Sequence, residues 1–114
     1  MQTHFAMWSF AKSPLFLTFR FDSIPAQALT IVTNPLLIAL NQDSAGNMLT
    51  CVMNCKTSTG IEVFKVDSVD QGGYSSLLAV NWNPQAEASI NLDLVLLGVI
   101  PEQNYNCTVT NAWF

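Results

Sequence analysis

The run Thr3-His4-Phe5-Ala6-Met7-Trp8-Ser9-Phe10-Ala11-Lys12-Ser13-Pro14-Leu15-Phe16-Leu17-Thr18-Phe19 decides how the rest of the chain is read. From Gln2 to Lys12 apolar side chains fall on nearly every side of a 3.6-residue repeat, the pattern of a helix buried over most of its circumference. Ser13 and Pro14 end it, because proline removes a backbone donor and clashes with the preceding turn. Leu15 to Phe19 is then almost uninterruptedly apolar. Without alternation, it predicts a strand covered on both faces, as in parallel sheets.

Outward from that stretch, Asp22 and Ser23 are expected to cap a second helix over Ala26 to Val32, with Pro25 in its first turn. Asn34 and Pro35 repeat the signal, so Leu36 to Leu40 reads as a separate short helix ending before Gln42 to Gly46. Beyond Gly46 the pattern changes. Turn residues at Ser58 to Gly60, Asp70 to Gly73 and Asn83 to Gln85 separate five β-rich runs: Leu49 to Met53, Ile61 to Val66, Tyr74 to Trp82, Ala88 to Leu97 and Asn104 to Trp113. In the last run Tyr105, Cys107, Val109 and Asn111 alternate with Asn106, Thr108 and Thr110, which predicts one packed and one wetted face. The fold class expected is α+β: an α/β segment over residues 1–46, then an antiparallel, sandwich-like segment over 47–114.

Composition supports a packed chain. Of 114 residues half are hydrophobic and 11% charged, against a typical ~25% charged, so the sequence is built to bury surface. With four Lys and Arg against eight Asp and Glu, net charge -4, and no basic cluster, neither nucleic acid nor an anionic membrane is an expected partner. The longest apolar stretch, Leu36 to Leu40, is far below the ~20 residues needed to cross a bilayer. Phe5 to Phe19 imitates the apolar part of a secretory leader, but Lys12, Ser13 and Pro14 interrupt it and no basic residue precedes it, so it reads as fold.

The three cysteines are Cys51, Cys55 and Cys107. The short step from Cys51 to Cys55 suits a hairpin-closing disulfide, with buried thiols as the alternative. One histidine, His4, lies far off, and the set falls short of a zinc signature, so no metal is expected. Asn106-Cys107-Thr108 is an N-glycosylation acceptor, meaningful in a secreted or lumenal protein.

The residues Thr3 to Leu15 resemble the stretch of family 27 α-galactosidases (melibiases) that forms the seventh barrel helix and enters the eighth strand. Ile38-Ala39-Leu40-Asn41-Gln42-Asp43 resembles the "IA-x-NQD" ending of that family's barrel, with Ser44-Ala45-Gly46 standing where Pro-Leu-Gly is usual. Glu62-Val63-Phe64 and Leu78-Ala79-Val80-Asn81-Trp82-Asn83 resemble the opening strands of its C-terminal β-domain, and Asn111-Ala112-Trp113 its later "D-L-W". The similarity is strong over residues 3–43 and looser over 61–113.

The resemblance implies a retaining hydrolase of terminal α-galactosides, a (β/α)8 barrel followed by an antiparallel β-domain, two catalytic aspartates and no cofactor. It also implies a secreted, lysosomal or vacuolar location. Both aspartates of the family lie in strands upstream of the part matching Thr3, and neither has a counterpart in these residues. A barrel needs ~250 residues and assembles its site from several strand ends, and a retaining mechanism needs two carboxyl groups ~5 to 5.5 Å apart. The chain is accordingly expected to be silent alone; the alternative is a non-catalytic module binding carbohydrate or a partner. Asp67 and Asp70 read as loop residues, and Asp22 and Asp43 as helix-end or turn residues. His4 reads as a residue of the barrel wall, and Trp8, Trp82 and Trp113 as core. Phe19 and Arg20 stand where the family commonly has a small polar residue and an aspartate, a charge reversal at the mouth of strand eight. A lone Leu15 to Phe19 strand would leave unpaired edges that favour self-association.

Overall fold

A computed structural model describes residues 1–20, 22–56 and 60–113. Three helices, α1 (Gln2–Phe10), α2 (Ala26–Val32) and α3 (Pro35–Asn41), precede three strands, β1 (Thr50–Met53), β2 (Ile61–Ser68) and β3 (Tyr74–Asn81), with a 3-10 turn at Asp70–Gly72. The strands form one antiparallel sheet in the order β1-β2-β3. The α+β class holds, with its helices ahead of an antiparallel sheet.

Local sequence explains most boundaries. Helix α1 closes through a Schellman arrangement: Ser13 N–H donates to Trp8 O and Lys12 N–H to Ser9 O, both at 3.3 Å, with Lys12 left-handed at φ 55°. This pairing satisfies carbonyls that the helix end would otherwise orphan, and Pro14 follows where the helix cannot continue. The helix is therefore shorter than the Gln2 to Lys12 expected. It buries one face, Phe5, Ala6, Ser9 and Phe10, and leaves Gln2, Thr3 and His4 exposed. Helix α3 starts as the Asn34-Pro35 pair predicts, with Asn34 Oδ1 accepting from Leu36 and Leu37 N–H at 3.1 Å each. Asp22 and Ser23 do not cap α2. Pro25 occupies the cap position with no side-chain cap bond, because the Asp22 carboxylate is already held by Arg20 at 2.7 Å and 3.1 Å.

Three expected strands are absent. Leu15 to Phe19 is coil: Leu15 and Phe19 pack against the core, while Phe16 is 74% exposed. A strand covered on both faces needs hydrogen-bonding neighbours on both sides, and the sheet's strands pair only with one another. Ala88 to Leu97 is extended and then turns, since Asp93 Oδ1 accepts from Val95 and Leu96 N–H at 3.0 Å each and so starts a helical turn. Asn104 to Trp113 forms no ladder either. Its alternation is not realised as packing, for Tyr105, Cys107, Val109 and Asn111 are all exposed. Among the described residues there is no opposing sheet for a packed face to meet, and the antiparallel part is a single three-stranded sheet under helices.

The core gathers Phe5, Ala6 and Phe10 of α1, Val32 of α2, Leu37 and Leu40 of α3 and Val66 of β2, with Leu78 and Trp113 against it. Helices thus cover one face of the sheet. Val63 alternates to the opposite face, where Lys65 Nζ holds Gly98 O at 2.9 Å and where Val63 and Leu97 are both buried.

One carboxylate ties the helical part to the sheet. Asp43, 6% exposed, accepts from Val69 N–H at 3.0 Å and Asp70 N–H at 2.9 Å through Oδ2, and from Ala45 N–H at 3.1 Å through Oδ1. Lys12 Nζ lies 3.9 Å from Oδ1 and donates to Leu40 O. Asp70 answers in the other direction, accepting from Ser44 N–H at 2.9 Å and Ser44 Oγ at 2.7 Å. The Asp70 amide, then those of Ala45 and Val69, and finally the charge of Lys12 hold the Asp43 carboxyl below its ordinary value of 3.8. A depressed folded-state pKa adds stability that is complete above the unfolded value and lost as pH falls below it. Native protein is therefore expected to lose urea resistance as pH drops below about 3.8, and Asp43→Ala to show a flatter acid limb. The same variant is expected to lose hydrogen-exchange protection at the Val69 and Asp70 amides; unchanged protection there contradicts the assignment.

Candidate functional site

The groups able to do acid–base or nucleophilic work are eight carboxylates, one histidine and three cysteines, and the fold disperses them. Asp67 and Asp70, the nearest pair in sequence terms, are turned to different partners. Asp67 Oδ1 accepts from Ser75 Oγ at 2.5 Å and its Oδ2 faces Lys65 Nζ at 3.1 Å, whereas both Asp70 oxygens are on Ser44. Asp43 is spent on backbone amides, and Asp93 caps its own turn. Glu62 Oε1 accepts from Lys56 N–H at 2.9 Å and its Oε2 from Trp82 Nε1 at 2.5 Å. Glu87 and Glu102 lie on the surface.

Arg20 and Asp22 form an exposed bidentate pair, 2.7 Å at its closest. The hydrogen bond to Asp22 raises the Arg20 pKa, and the same bond lowers that of Asp22. The charge reversal read at Arg20 is thus matched by an acidic neighbour two residues on.

His4 is exposed at the start of α1 and lies against Trp8, ring centroids 4.5 Å apart and tilted by 48°. Of the tryptophans, Trp113 packs on the core and Trp8 is half-buried. Trp82 corrects the core reading: it is 43% exposed, because it follows the last residue of β3 and its indole N–H reaches out to Glu62. Among the described residues no group of three His, Cys, Asp or Glu could hold a metal ion, and no helix is long and apolar enough to cross a membrane.

An open depression of about 410 Å3 is lined by Asn91, Leu92, Asp93, Leu94, Val95, Ile100 and Gln103. Its one carboxylate, Asp93, is the turn-capping group, so the depression contains no free acid and base facing each other. Cys51 and Cys55 are joined as a disulfide with Cα atoms 5.8 Å apart, while Cys107 is a free, exposed thiol. Asn106 and Thr108 flank it, both exposed. Sequence reasoning missed the Glu62 contact with Lys56 and Trp82, which lie six and twenty residues from it in sequence, and the turn expected at Ser58 to Gly60 begins outside the described residues.

The chain is 32% identical to alpha-galactosidase D of Emericella nidulans over 112 residues, 98% of this chain and 16% of that protein. It is 40% identical over 47 residues to an alpha-galactosidase of Lachancea cidri, 41% of this chain and 10% of the relative. It is 38% identical over 60 residues to the alpha-N-acetylgalactosaminidase of Rattus norvegicus, 53% of this chain and 14% of the relative. No family profile and no solved structure matches. The chain is a sequence of the family 27 α-galactosidase type that spans 16% of the length of the relative it matches over nearly its whole extent.

Proposed function

We propose that this chain is the junction segment of an α-galactosidase-type glycoside hydrolase, with residues 1–46 belonging to the end of the catalytic barrel and 47–114 to the β-domain, and that it does not cleave glycosides unaided. The observation that carries the reading is Asp43. It lies in the part resembling the barrel's ending, yet its Oδ2 accepts from the amides of both Val69 and Asp70 in the part resembling the β-domain. Its role is to join.

Six of the eight carboxylates, Asp22, Asp43, Glu62, Asp67, Asp70 and Asp93, are likewise bound to chain groups in structural roles. A retaining glycosidase needs an acid and a nucleophile ~5 to 5.5 Å apart across the anomeric carbon. The substrate class of the complete enzyme in this reading is a terminal α-galactoside or its N-acetylated counterpart. The isolated chain is expected to give no turnover of a chromogenic α-galactoside above buffer. Hydrolysis abolished by a single substitution within these residues would defeat the proposal.

The same reading assigns a secreted or lumenal setting. A disulfide between Cys51 and Cys55 suits an oxidising compartment, and Asn106 lies exposed in its acceptor triplet. Expression through a eukaryotic secretory route is expected to add a glycan that shifts electrophoretic mobility and disappears in Asn106→Gln. An identical mobility for both proteins would remove Asn106 from the assignment.

Self-association belongs to the proposal too. Strands β1 and β3 are outer strands, β3 carries no charged residue, and Phe16 and Leu17 are exposed, all features that invite edge pairing. Sedimentation velocity is expected to show mass rising with concentration; a monomer throughout the micromolar range contradicts it.

A further inference from the structure

We infer that the Cys51–Cys55 bridge is a redox latch whose state is transmitted through Lys56 and Glu62 to Trp82. The bridge joins cysteines four positions apart at the irregular end of β1, where the register with β2 shifts between Cys51 and Met53. Immediately after Cys55, Lys56 is held at φ 70°, and Asn54 within the bridged loop at φ 55°. Asparagine tolerates this left-handed region, but lysine avoids it. The Asn54 side chain is anchored to Ile61 O at 2.9 Å. Lys56 is kept in place by the covalent tie at its N-terminal side and by its own amide, which donates to Glu62 Oε1 at 2.9 Å. The other oxygen of Glu62 orients the indole of Trp82 at 2.5 Å. Covalent bond, left-handed residue, carboxylate and indole are thus linked in series.

Cys55 is exposed, so a thiolate of a small dithiol can attack its Sγ. The S–S bond breaks, Cys51 leaves as a thiolate and takes a proton, and the second thiol of the reagent closes a cyclic disulfide that releases Cys55 as a thiol. Two electrons and two protons pass from the dithiol to the bridge. Lys56 then returns to negative φ, its amide leaves Glu62, and the indole loses its fixed acceptor geometry.

Dithiothreitol treatment of the full chain, followed by proton–nitrogen correlation spectra, tests this. Trp82→Phe identifies the Trp82 indole signal, and thiol titration, rising from one free cysteine to three, certifies complete reduction. Reduction is expected to move that signal and to speed exchange of its proton about tenfold, the effect of losing a charge-assisted hydrogen bond, while the Trp8 and Trp113 indoles stay unchanged. The Cys51→Ser/Cys55→Ser variant is expected to give the reduced spectrum without reagent. In Glu62→Ala the Trp82 indole is expected to exchange fast and to ignore dithiothreitol. A Trp82 signal indifferent to complete reduction overturns the latch. So does the collapse of all three indole signals together, which would make the bridge a general staple.

Discussion

Two backbone amides presented to one carboxylate hold this chain together. The 3-10 turn after β2 leaves the N–H groups of Val69 and Asp70 pointing away from the sheet, and Asp43, just past α3, fills that notch. A buried carboxylate without donors is costly, and these amides supply the donors Asp43 needs. The reciprocal bonds from Ser44 to Asp70 then fix the direction in which the sheet leaves the helices, so that Val66 and Leu78 meet the buried face of α1 and not solvent.

This gives the "NQD" run a physical meaning within these residues. Asn41 Nδ2 donates to Ser13 O at 2.9 Å, tying the end of α3 to the segment after α1, while Asp43 two residues later reaches the sheet. Alternate members of one tripeptide therefore point to the helical and the sheet sides.

What could be read from residue types alone was local. Asn34-Pro35 announced α3, Pro14 stopped α1, and Gly72 and Gly73 marked the turn into β3, because each acts through its own backbone conformation. The pairing of Cys51 with Cys55 was open to inspection for the same reason. The failures share the opposite cause. Leu15 to Phe19 has the composition of an interior strand, but a strand exists only with neighbours, which no pattern within five residues reveals. Asn104 to Trp113 alternates correctly and still lacks an opposing sheet. At Ala88 to Leu97 a single Asx cap at Asp93 overrode β propensity. The junction itself was invisible, since the donors to Asp43 lie 26 and 27 residues away in sequence, and Trp82 was misplaced because the end of an outer strand offers little cover.

The left-handed lysine after α1 has a consequence for cooperativity. Lys12 ends one helix through its backbone and reaches the last turn of another through its side chain, donating to Leu40 O. Both helices present the partially negative end of their dipoles at this place, and a single ammonium serves as counterion to the pair. Neither seven-residue α3 nor nine-residue α1 is long enough to persist by itself in water. Sharing one cation makes fraying at either end a loss to both, and so couples the two short helices.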